Sequence, residues 1–156
     1  MSFLSKNAFT ILVLVSVSTS VLADHITIKG AWLPEAAPVA RVMAAYMDIS
    51  NHSKQTSFIT SVTSPQFKKV EIHSMSHKNG MMHMEKQEQL KLPAGKTVAL
   101  QPGGFHMMLF NPKEWFKDGS KITLNITLDN KETFQIIAPV IKETGNDSGM
   151  QHHNHH

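Results

Sequence analysis

Cysteine is absent from this chain of 156 residues. Without a thiol, the protein cannot hold an iron–sulfur cluster, a zinc site with cysteine ligands or a nucleophilic thiolate. A blue-copper electron-transfer centre is also excluded, because that centre needs a cysteine ligand. Disulfide bonds cannot stabilise the fold, even in an oxidising compartment that would permit them. The fold must therefore rest on a hydrophobic core.

Positive charge is too thinly spread to indicate a nucleic-acid partner. Lysine and arginine number 15 against 12 acidic residues, and aromatic residues make up only 7% of the chain. Lys68 and Lys69 form the only adjacent basic pair beyond the N-terminal segment. A nucleic-acid-binding surface needs a concentrated basic stripe. We therefore expect no nucleic-acid partner.

Long apolar runs are scarce, and the one near the N-terminus has the pattern of an export signal. Lys6 provides a basic start, residues 8–17 are apolar, and Val21 and Ala23 occupy the small-residue positions before a cleavage site. The alternative is a membrane anchor, but spanning a bilayer takes about 20 apolar residues. We expect a signal peptide over residues 1–23, cleavage after Ala23, and no stable membrane insertion afterwards.

The chain from residue 24 to residue 142 reads as short strands separated by turns. Residues 121–128 (KITLNITL) alternate in polarity, and turn sequences such as PAG and PGG separate other short apolar stretches. No segment has a long helical period, apart from a turn that could form at residues 112–116. Several short strands with regular turn signals predict a single all-β domain, as a Greek-key sandwich or barrel. A chain of this length can bury one core.

Histidine and methionine are both abundant, with ten of each. Thioether sulfur is a soft ligand that selects Cu(I), and imidazole suits copper in either oxidation state. Methionine also fills gaps in hydrophobic cores, and we expect Met43 and Met47 to do so. The composition predicts a copper site only if the other residues fall at ligand spacing.

Residues 143–156 (ETGNDSGMQHHNHH) form a polar tail that is predicted to be disordered. The run could be an appended purification tag, but Asn154 interrupts the histidines, which favours a native metal-binding tail. The candidate ligands in the tail are Met150, His152, His153, His155 and His156.

A β-hairpin is predicted around Asn79 and Gly80, because Asn-Gly favours a two-residue type I′ turn. In that register Met75 lies opposite Met84, and His77 lies opposite Met82. Side chains alternate faces along a strand, so one face carries His73, Met75, His77, Met82 and Met84. Met84 is diagonal to His73, within reach of a shared ion. Met75 is the strongest candidate for an additional ligand.

A second pair of candidate ligands follows the Pro-Gly-Gly turn at residues 102–104. His106 and Met108 are two residues apart in a predicted strand, so their side chains share a face. The strand begins near His106, which places both residues toward an end of the domain. Such a position suits an ion that is passed to another protein.

The full spacing is His73, ten residues, Met84, twenty-one residues, His106, one residue, Met108. Together with the segments VEIHSMSHKNGMMHM, LPAG and QPGGFHMMLF, it resembles the signature of the periplasmic copper chaperones of the PCuAC type. With the export signal, the resemblance covers most of the chain.

The resemblance implies a cupredoxin-like β-barrel in the periplasm that binds Cu(I) through His73, Met84, His106 and Met108. It implies delivery to the copper centre in subunit II of a respiratory cytochrome c oxidase, alongside a Sco-type assembly protein. The C-terminal tail would bind Cu(II), as Met- and His-rich extensions do in that family.

Two other classes of function are considered. A copper storage or resistance protein would bind copper through the same residues. A copper or zinc enzyme would need a carboxylate near an open metal position. We assign Glu71 to the face opposite His73 and Glu85 to the face opposite Met84, and therefore expect no enzyme.

Overall fold

The computed structural model describes residues 25–142, and these residues form ten β-strands and no helix. The strands are β1 Ile26–Pro34, β2 Val42–Asn51, β3 Ser57–Thr63, β4 Phe67–Lys78, β5 Met81–Gln87, β6 Leu90–Leu92, β7 Thr97–Leu100, β8 His106–Pro112, β9 Lys121–Leu128 and β10 Thr133–Ile141. The all-β prediction is confirmed. Residues 113–117 are irregular, so the helical turn considered there does not form. Within residues 25–142 no helix could cross a membrane.

The strands are joined in the order β5-β4-β8-β2-β1-β10-β9-β3-β6, and β7 also pairs with β2. Most neighbours run antiparallel, whereas β1 and β10 pair in parallel at Leu33↔Val140 and Pro34↔Ile141. β6 is only three residues long and was not predicted as a strand. It continues the sheet by pairing with β3 at Ser57↔Leu92.

Alternating side chains fill one hydrophobic core. In β9 every second residue is buried: Ile122, Leu124, Ile126 and Leu128 are each at most 1% exposed. Burying a side chain of this size contributes about 1.5–3 kcal/mol. Met43 and Met47 are also buried, which confirms their expected place in the core.

The β4–β5 hairpin forms one margin of the sheet, since β5 stands at the end of the strand order. Asn79 (φ 52°) and Gly80 (φ 75°) both have positive φ, as a type I′ turn requires. The predicted register is confirmed, with Met75 opposite Met84 and His77 opposite Met82. β4 then pairs with β8 on its other side, and this pairing sets His73 directly opposite His106.

Candidate metal site

His73 and His106 lie side by side on adjacent strands, although 32 positions separate them in the chain. Their ring centroids are 6.0 Å apart and the rings are stacked at 28°. Both are largely covered: His106 is 5% exposed, and the His73 side chain is 13% exposed. The pairing of β4 with β8 therefore brings two shielded imidazoles to one place.

The loop before β8 orients the His106 ring. The His106 Nδ1 donates a hydrogen bond to the carbonyl oxygen of Gly104 at 3.1 Å, and the backbone N–H of Met75 donates to the same oxygen at 3.1 Å. Gly103 supports this loop with φ 79°, a conformation that favours glycine. With the proton on Nδ1, the lone pair of His106 resides on Nε2, which can ligate a metal.

Glu71 orients the His73 ring from the same strand. The His73 Nε2 lies 3.0 Å from Glu71 Oε2. An ionised carboxylate only accepts hydrogen bonds, so the proton of a neutral His73 is on Nε2 and its lone pair is on Nδ1. That Nδ1 is buried and has no hydrogen-bond partner. A buried polar atom without a partner is costly, and a metal ion would satisfy it.

The assignment of Glu71 to the face opposite His73 was wrong. Residues two apart on a strand point to the same side, so the strand period itself predicts their contact. The hydrogen bond from His73 and that from Lys69 lower the pKa of Glu71 below its usual 4.5, and the charges of Lys69 and Lys86 act in the same direction. Lys69 Nζ is 3.0 Å from Glu71 Oε1, and Lys86 Nζ is 3.8 Å from it. Glu71 is therefore ionised at neutral pH.

Thioether side chains surround an open hollow beside the two rings. Met75, Met84, Met108 and His106 line it, together with Val42, Met43, Ala44, Tyr46 and Gly103. Met84 is 51% exposed at the hairpin, whereas Met108 is partly covered and pairs with Ala44 of β2. Three of the four predicted ligands thus line one hollow. The fourth, His73, stacks on His106 without lining it.

The donor atoms in this region suit a soft metal ion. Two imidazole nitrogens carry lone pairs, and the other donors are thioether sulfurs, a combination that fits Cu(I). Within the described residues, no group of three or more His, Asp or Glu side chains could hold a metal ion. His73, Met84, His106 and Met108 stay predicted ligands, and Met75 lines the same hollow. The Cu(II) ligands predicted in residues 143–156 lie outside the described part of the chain, as does the predicted signal peptide.

Residues 26–140 match the family described as "Putative lipoprotein LpqE-like". The chain belongs to the LpqE-like family. A relative, "Putative lipoprotein Lxx21020" of Leifsonia xyli subsp. xyli (strain CTCB07), is 29% identical over 119 residues, which cover 76% of this chain and 70% of the relative.

Solved structures share the fold, and the predicted resemblance to PCuAC domains is confirmed. The copper-bound PCuAC domain from PmoF2 superposes with a TM-score of 0.64 at 20% identity, over 76% of this chain and 93% of that domain. The solution structure of Cu(I)-DR1885 from Deinococcus radiodurans gives a TM-score of 0.61 at 29% identity, over 74% and 77% of the two chains. The apo form of DR1885 gives 0.60 at 25% identity, over 92% and 97%.

Proposed function

We propose that this protein is an exported copper chaperone that binds one Cu(I) ion through His73, Met84, His106 and Met108. The observation that carries the proposal is the buried, unpartnered Nδ1 of His73 beside the shielded His106 ring. Thioethers on β5 and β8, the two strands that flank β4, supply the soft ligands that Cu(I) prefers. The 29% identity to DR1885, whose structure was solved with Cu(I), supports the same ion.

The arrangement suits binding followed by release. The two imidazoles are held by Glu71 and Gly104, so the nitrogen side of the site is ordered before the ion arrives. Met84 is half exposed on the hairpin, where the ligands of a recipient protein could replace it. Neutral thioethers hold Cu(I) less strongly than thiolates would, which favours exchange. In this proposal the protein carries copper as cargo.

The proposed compartment is the periplasm, and the proposed recipient is the copper centre of cytochrome c oxidase subunit II, with a Sco-type protein as a second partner. The sequence resemblance to PCuAC chaperones supports these assignments. A storage or resistance protein would bind copper with the same residues. Transfer of the bound ion to purified subunit II separates the two functions, because a storage protein would retain its copper.

Competition for Cu(I) against a calibrated chelator tests the site in the chain from Asp24 to His156. We expect one tight equivalent in the wild type, and its loss when Met84→Ala and Met108→Ala are combined. Met81→Ala is the matched control, because Met81 is 61% exposed on the same strand but is not among the residues lining the hollow. Tight binding that persists in the double variant would place the copper elsewhere and refute the proposed site.

A further inference from the structure

Side chains that can ligate copper continue along the β4–β5 hairpin beyond the hollow. One step beyond Met75 and Met84, towards the turn, His77 lies directly opposite Met82. Directly opposed residues on antiparallel strands have Cβ atoms about 4.5–5.5 Å apart. An imidazole and a thioether at that separation can both reach one ion. The hairpin therefore presents a His–Met pair on the same face as the Met75–Met84 pair.

The geometry of this outer pair is fixed by the turn. Lys78 and Met81 form the last register pair, and Asn79 and Gly80 adopt the positive φ values of a type I′ turn. Such a turn specifies the register of the strands beside it. His77 and Met82 thus remain opposite each other without help from the core.

Nothing in the core accounts for the methionines at this end of the hairpin. Residues 81–86 are all exposed, and Met82 is 50% exposed. Among residues 25–142, no side chain forms a hydrogen bond or an ion pair with the exposed His77 imidazole. Large exposed apolar side chains grouped on one surface mark interaction sites, and here the group combines thioethers with an imidazole.

The outer pair is also close to the hollow. Two residues along a strand span about 6.6–6.8 Å, so His77–Met82 is one such step from Met75–Met84. Met75 and Met84 in turn line the hollow with His106 and Met108. The donors form a continuous series from the turn to His106 and its neighbour His73.

We infer that His77 and Met82 form an outer Cu(I) site, which captures the ion and passes it along the hairpin to the inner site. The ion exchanges one set of neutral ligands for another, so no electron is transferred and no covalent bond to carbon changes. The direction of transfer rests on the proposed function, whereas the existence of the outer site does not.

The experiment follows methionine ε-methyl resonances during titration of the chain from Asp24 to His156 with Ag(I), a redox-inert stand-in for Cu(I). We expect the first equivalent to shift Met84 and Met108, and a further equivalent to shift Met82. His77→Ala should abolish the Met82 shift and leave the first step unchanged. His83→Ala is the matched control, because His83 lies opposite Ser76 and points to the other face.

Loading kinetics provide a second readout. The double variant His77→Ala/Met82→Leu should take up Cu(I) from a chelate about tenfold more slowly, within the range over which on-rates vary among related variants, with the affinity of the inner site unchanged. His83→Ala/Met81→Leu should load at the wild-type rate.

A Met82 resonance that never moves, or that moves equally in His77→Ala, would overturn the outer site. Failure of Met84 and Met108 to respond would instead count against the proposed function. Because the two results come from different resonances, they can be told apart in one titration.

Discussion

Replacing Glu71 by Gln is the sharpest test of how the copper site is organised. The change keeps the shape of the side chain and removes its negative charge. In the wild type, Glu71 Oε2 holds the proton of His73 on Nε2, which leaves Nδ1 as the donor for a metal. Glutamine can present either an oxygen or an NH₂ group to His73, so the preference for one tautomer becomes weaker.

Loss of an outer partner of a metal-bound histidine costs about 10–100-fold in metal affinity. We expect Glu71→Gln to weaken Cu(I) binding by about tenfold, at the lower end of that range, because the amide oxygen can still accept a hydrogen bond from the His73 Nε2–H group. Lys69 would also lose its anionic partner and add uncompensated positive charge near the ion, whereas Lys86 would still pair with Glu88.

The assay is chelator competition for Cu(I), combined with the ¹⁵N shifts of the His73 ring in the apo protein, which report the tautomer. Glu88→Gln is the matched control: Glu88 also pairs with Lys86, at 3.3 Å, but its side chain is 87% exposed. If Glu71→Gln binds Cu(I) as tightly as Glu88→Gln and its His73 keeps the Nε2–H tautomer, the carboxylate does not prepare the site.

Three further predictions concern stability and the tail. Met107 is fully buried, so Met107→Ala should lower the free energy of unfolding, measured by urea titration, by about 2–5 kcal/mol. Met108→Ala should lower it less but should abolish tight Cu(I) binding, measured by chelator competition. A larger loss of stability in Met108→Ala than in Met107→Ala would contradict the assignment of the two side chains to opposite faces. The pKa of Glu71 is below its usual value, so this carboxylate stabilises the folded apo protein at pH values above the usual pKa, and the stabilisation is lost as the pH falls through the lowered pKa. Urea midpoints measured from pH 3 to 7 should show this loss in the wild type. An equal loss in Glu71→Gln would refute the assignment to Glu71. Deleting residues 143–156 should reduce Cu(II) uptake, measured by titration, and leave Cu(I) competition unchanged; full Cu(II) uptake by the shortened chain would exclude the tail as the Cu(II) site.

Much of the hairpin could be predicted from local rules. The Asn79-Gly80 dipeptide specified a type I′ turn, and the period of two then placed Met75 opposite Met84 and His77 opposite Met82, as the structure shows. The same period should have placed Glu71 on the face of His73, and the opposite assignment was an error of counting. β6 was missed because three residues carry too little pattern to indicate a strand.

The sequence by itself determined the residue types that suit copper, the all-β class and the register within the hairpin, because these depend on composition and on neighbours a few positions apart. Only the tertiary structure decided that His73 stands beside His106, since pairing between β4 and β8 depends on how the whole sheet closes around its core. It also decided which nitrogen of each ring is available: the Gly104 carbonyl accepts a hydrogen bond from the His106 Nδ1–H group, and burial leaves the His73 Nδ1 without a partner. Long-range strand pairing arises from contacts between distant parts of the chain, and no local pattern encodes it.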